Sequence, residues 1–149
     1  AKIIETLNKF LPKSAISYGQ IIKDLEDTNR VSFRGTMAEL REVLREVLDY
    51  LADNKSIMET SGFQLEEGLK GPSMKQKTIF IMKSRGYSKD KFKVPEKAAT
   101  LVEEITGSFL RATYSRSSAD AHTEAKRPNV QQIKMYVDGL LCELLEIHK

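Results

Sequence analysis

The run 36-TMAELREVLREVLDYLADN-54 constrains this chain more than any other stretch. Met37, Leu40, Val43, Leu44, Val47, Leu48 and Leu51 recur at spacings of three and four, which gathers them on one side of an α-helix. Glu39, Arg41, Glu42, Arg45, Glu46 and Asp49 fill the other side. A strand would scatter the same aliphatics over both of its faces, because strand side chains alternate. Thr36 and Glu39 read as a capping box, with Gly35 just before it. A continuous apolar face of this length is stable only when other helices cover it.

The rest of the chain supplies them. Segments 2-KIIETLNKFL-11 and 15-AISYGQIIKDLED-27 read as two shorter helices divided at Pro12, with Ser14 as an N-cap, and residues 29–35 as a loop. Residues 54–72 read as irregular, with one helical turn around 63-FQLEEGL-69. In 73-SMKQKTIFIMKSRG-86, Ser73 and Gln76 form a second capping box and Gly86 sits where a helix ends. Those caps favour helix over strand for 79-IFIM-82. The stretch 87-YSKDKFKV-94 reads as a charged linker, and Pro95 as the first residue of a helix whose stripe is Ala98, Leu101, Val102, Ile105, Phe109 and Ala112. A last helix starts near Pro128 and presents Val130, Ile133, Val137, Leu140, Leu141 and Leu144 on one face. No stretch alternates with period two for long enough to build a sheet. The expectation is an all-α, up-and-down bundle of about five to six helices.

Length sets one domain over residues 1–149, with 1–30 as N-terminal helices and 31–149 as the core. A chain this long buries roughly 68–70% of its unfolded surface without disulfide or metal. Cys142, the single cysteine, lies in an apolar run and reads as a small buried hydrophobe, so a reducing cytoplasm is the expected compartment. No apolar run approaches the roughly 18 residues of a membrane span. The net charge of +3 permits nucleic-acid contact without arguing for it. With two distant histidines and one cysteine no metal site can be argued, and a Gly-rich phosphate loop is missing, which excludes P-loop chemistry and leaves no cofactor to expect.

One stretch breaks the helical pattern: 114-YSRSSADAHT-123. Arg116 lies seven residues after Phe109, so it continues an apolar stripe where a solvated arginine would face away. His122 follows in a polar segment, ahead of Pro128. Cleavage of RNA through its own 2′-hydroxyl needs a group that moves protons near neutral pH, which histidine does. It also needs a fixed cation on the phosphate oxygens, which arginine grips bidentately. Acid and base roles both need filling, so a twofold dimer that pairs two copies of the motif is expected. Arg111, Lys126 and Arg127 form a basic collar suited to an RNA backbone, Ser117 adds a hydroxyl, and Asp120 is placed to orient His122. The aromatic and basic interleaving in 85-RGYSKDKFK-93 is a weaker signal of the same kind.

An R-x(4–6)-H motif between two helices of an all-α bundle resembles the HEPN (higher eukaryotes and prokaryotes nucleotide-binding) superfamily, and here Arg116 and His122 match it. The blocks 34-RGTMAELREVLREVLDYLA-52, 74-MKQKTIFIMKSRG-86, 112-ATYSRSSADAHT-123 and 137-VDGLLCELLEI-147 resemble a module of bacterial proteins described as predicted Piwi-associating nucleases. The first thirty residues carry no such resemblance. The likeness implies a metal-independent endoribonuclease with its site at a dimer interface, serving as effector in a defence or toxin–antitoxin system, with RNA, a second copy and an antitoxin or sensor as partners. Ser117 follows the motif arginine, where active HEPN members often carry Asn, Asp or His. Glu124 stands where members modified by a nucleotidyltransferase carry tyrosine, which argues against that modification. The rival reading is a catalytically silent helical domain that dimerises or docks a larger protein.

Overall fold

The computed structural model describes the backbone of residues 2–115 and 125–147, and the side chains of 2–109 and 125–147. Seven helices follow one another among the described residues: α1 (Lys2–Phe10), α2 (Pro12–Glu26), α3 (Arg34–Leu51), α4 (Asn54–Met58), α5 (Met74–Ser84), α6 (Lys89–Ser115) and α7 (Arg127–Leu144). No strand occurs among the described residues. α3 is the hub, packed against α2, α5, α6 and α7. Met37, Leu40, Val43, Leu44, Val47 and Leu48 are wholly buried, so the aliphatic spacing did select the inward face. Val130, Ile133, Val137, Leu140, Leu141 and Leu144 of α7 are buried opposite them. Each such side chain contributes about 1.5–3 kcal/mol by leaving water.

The caps of α5 form as the sequence indicates. Ser73 Oγ accepts from the Gln76 N–H at 3.1 Å, and Gln76 Oε1 accepts from the Ser73 N–H at 3.1 Å. At the far end Gly86 takes φ +83°, its N–H reaches Lys83 O, and the Tyr87 N–H reaches Met82 O. That is a Schellman ending, which favours a residue without Cβ. The 79–82 run is helical, with Ile81 and Met82 buried.

Four local expectations are corrected. Ser14 is not a cap: α2 begins at Pro12, and the buried Ser14 hydroxyl donates to Glu46 Oε2 at 2.8 Å. Thr36 is not a cap either: α3 begins at Arg34, and the Thr36 hydroxyl donates to Asp24 Oδ2 at 2.8 Å. The helical turn near residue 54 lies at Asn54–Met58, where Asp53 accepts from the Ser56 N–H at 2.6 Å, and not at 63–69, which Gly68 interrupts at φ +80°. Cys142 is only half-buried.

The largest correction concerns α6. It starts at Lys89, so the supposed linker is mostly helix and Pro95 lies inside it. A mid-helix proline removes one N–H···O bond. Burial of Phe92, 5% exposed, offsets that loss by anchoring the first turns. The innermost line of α6 is Phe92, Pro95, Ala99, Val102 and Thr106, while Ala98, Leu101, Ile105 and Phe109 are only half-buried. Thr106 can face inward because its hydroxyl reaches Val102 O at 2.5 Å and accepts from Arg41 Nη1 at 2.8 Å. A stripe read from apolar residues alone is therefore rotated slightly from the true inner face.

Candidate functional site

The two helices that flank the motif are each fastened to the bundle. On the entering side, Arg41 of α3 donates from Nη1 to Glu103 O at 3.0 Å as well as to Thr106. The Glu103 carboxylate accepts from the Met74 N–H, with Oε1 at 3.2 Å, and so ties α6 to the start of α5. Burial pushes the Glu103 carboxyl above its ordinary value; Glu66 adds to the rise, while the Met74 N–H, Arg41 and Lys77 oppose it.

A raised folded-state value means that Glu103 favours folding in its protonated form. Its contribution is present below the unfolded value and is lost as pH rises through the folded one. Glu103→Gln keeps an oxygen for Met74 and carries no charge. The variant is expected to melt above the wild type at neutral pH, with the gap narrowing as the carboxylate range is crossed downward. Thermal melts across that range check this; a gap that does not change with pH contradicts it.

On the leaving side, Ala125 is buried and its carbonyl accepts from the Phe33 N–H at 2.9 Å, joining the start of α7 to the start of α3. Arg127 reaches back to the end of α2, donating from Nη1 to Leu25 O and from Nη2 to Asp27 O at 2.5 Å. Its guanidinium also lies 4.8 Å from the centre of the buried Phe33 ring. Those contacts turn the guanidinium toward the bundle, whereas Lys126 is exposed and uses its backbone N–H to bond Asn129 Oδ1 at 3.2 Å.

Arg116, Ser117, Asp120 and His122 lie outside the described residues, and Arg111 stands on α6 with its side chain outside them. Of the sequence-derived site residues, the structure thus places the side chains of Lys126 and Arg127. The interleaved segment 85–93 has structural work: Arg85 donates to Leu144 O at 2.7 Å and pairs with Glu146, closing the end of α7. Sequence reasoning missed Arg30, Phe33 and Arg41. An aromatic between two arginines, 30-RVSFR-34, was the available signal for the first two. No group of three His, Cys, Asp or Glu side chains able to hold a metal ion occurs among the described residues. No described helix is long and apolar enough to cross a membrane.

A model of the family described as predicted pPIWI-associating nuclease matches residues 7–141. The chain belongs to that family. The match begins in α1 and ends in α7, so pPIWI-associating nuclease membership takes in most of the N-terminal thirty residues as well as the core. It also spans the whole of 114–123, the segment that holds the arginine and histidine. Among curated proteins and among solved structures, nothing matches the chain.

Proposed function

We propose that this pPIWI-associating nuclease is a metal-independent endoribonuclease of the HEPN type, working as a homodimer and as the RNA-cleaving effector of a defence or toxin–antitoxin system. The observation that carries the reading is the family match across an all-helical chain with an R-x(5)-H motif between its last two long helices. Fastening α6 through Arg41 and α7 through Ala125 supports it, because phosphoryl chemistry depends on fixed geometry.

In this reading Arg116 grips the scissile phosphate, and a His122 removes the proton from the 2′-hydroxyl as that oxygen attacks phosphorus. The P–O5′ bond breaks, and the His122 of the second copy protonates the leaving oxygen. The products are a 2′,3′-cyclic phosphate and a 5′-hydroxyl. A face for the second copy is supported by the half-buried stripe Ala98, Leu101, Ile105 and Phe109. Beside it lie Val94, 77% exposed, and Met135, 73% exposed, lining a groove between α6 and α7. An antitoxin or sensor, and the pPIWI protein that the family's description names, are the partners proposed beyond RNA and the second copy.

Purified protein is to be incubated with a pool of cellular RNA, with and without EDTA. Cleavage at equal rates in both arms, leaving cyclic phosphate ends, is the expected result. RNA left intact, or cut only in the arm without EDTA, overturns the reading.

A further inference from the structure

Four cationic residues, Arg30, Arg34, Lys126 and Arg127, lie close to where α3 and α7 begin. The hydrogen bond from the Phe33 N–H to Ala125 O sets the residues that follow each, Arg34 and Lys126, near one another. Phe33 has the Arg127 guanidinium 4.8 Å from its ring centre and that of Arg30 at 5.7 Å. Guanidinium groups gathered on one ring repel each other, and the ring's quadrupole offsets only part of that.

Three acidic residues, Asp24, Glu26 and Asp27, lie at the end of α2 and just after it; Glu26 is exposed, and the other two carry hydrogen bonds. Asp24 accepts from Gln20 Nε2 at 2.9 Å and from Thr36 Oγ1 at 2.8 Å, with Arg30 Nη1 at 3.5 Å. Asp27 accepts from the Asn29 N–H at 3.0 Å. The first turns of α3 and α7 contain no acidic residue to offset the cations. Arg30 Nε is buried without a hydrogen-bond partner. Neither Arg34 nor Lys126 pairs with a carboxylate among the described residues. Arg127 differs from these, since backbone carbonyls of Leu25 and Asp27 hold it.

We infer that Arg34 and Lys126, backed by Arg30, form a contact surface for the phosphate backbone of single-stranded RNA, while Arg127 holds the α2–α3 loop and α7 together without touching the nucleic acid. The choice of RNA as the polyanion rests on the ribonuclease reading; the charge arrangement does not. Guanidinium and ammonium groups beside each other grip successive phosphates, the first bidentately and the second as a point charge.

The test is fluorescence anisotropy with a labelled 2′-O-methyl oligouridine over a range of salt concentrations. That probe lacks the attacking hydroxyl, so binding is read without cleavage. In Arg34→Ala/Lys126→Ala the slope of log affinity against log salt should shrink by about 1.4, because each single-strand phosphate that a cation neutralises contributes about 0.7. Lys13→Ala, an exposed lysine at the opposite end of α2, should leave the slope unchanged, and Arg34→Lys/Lys126→Arg should keep it near the wild-type value. A wild-type slope in the double alanine variant, or no binding by the wild type, overturns the inference. If RNA is cut by the wild type while the double variant keeps its slope, the surface is wrong and the ribonuclease reading stands. If the slope shrinks as expected but no RNA is ever cut, the surface stands and the ribonuclease reading falls.

Discussion

His122→Ala is expected to lower RNA cleavage by about 10² to 10⁴, the range for removing a group that transfers a proton in the transition state. Arg116→Ala should cost a similar factor, because it removes a charge-assisted grip on oxygens whose charge grows as the 2′-oxygen attacks. The two losses should fall well short of multiplying in the double variant, since residues that act on one reaction centre are strongly non-additive. Neither loss should be restored by added divalent ions. Circular dichroism and sedimentation separate lost chemistry from lost structure. That control matters most for Arg116, which continues the sequence stripe of α6 and whose methylene stem can pack along it. A folded, dimeric His122→Ala variant that cuts RNA as fast as an active wild type would show that the R-x(5)-H motif is not catalytic. It would return the chain to the silent docking domain that its helices alone also allow.

The second large effect is expected from Val94→Asp combined with Met135→Asp. Both side chains are largely exposed on the α6–α7 face, so the monomer loses little of its own packing. In the proposed dimer the same positions lie in the contact, where a carboxylate must leave water without a partner. A specific interface of standard size buries on the order of 1,200–2,000 Å², and two such charges per protomer are enough to prevent it. The variant should sediment as a monomer at micromolar concentration with an unchanged helical spectrum. Cleavage should fall by about 10² or more, because a monomer holds one histidine where the mechanism uses two to transfer protons. A wild type that is itself monomeric under those conditions, or a double variant that stays dimeric, places the interface elsewhere or removes it.

How legible each element was depended on where its partners lie in the chain. α3 and α7 were readable because seven and six apolar residues, respectively, repeat at helical spacing with no competing signal. The start of α6 was not, because Lys89, Lys91 and Lys93 around Phe92 read as a solvated linker. Only contact with the bundle shows that Phe92 is buried and that three lysines stay outside it. The candidate site was legible as residue types and spacing, Arg116 and His122. The fastening by Arg41 and Phe33 was not, because a solvated arginine face and a loop phenylalanine have no distinguishing local pattern.

The sequence by itself determined the helical class, the inward faces of α3 and α7, and the two ends of α5. Each of these rests on residues at most one or two turns apart, so the local chain already contains donor, acceptor and apolar neighbour. Tertiary structure decided what the remaining polar residues do. Ser14 and Thr36 have the chemistry of helix caps, yet they bond to Glu46 and Asp24, 32 and 12 residues away. Arg127 has the charge of a backbone-binding residue, and the carbonyls that its guanidinium bonds within the fold, at the end of α2, lie 102 and 100 residues away. A buried polar group must be paired, and which pairing wins depends on what the fold brings within about 3 Å of it, a distance that no sequence separation encodes.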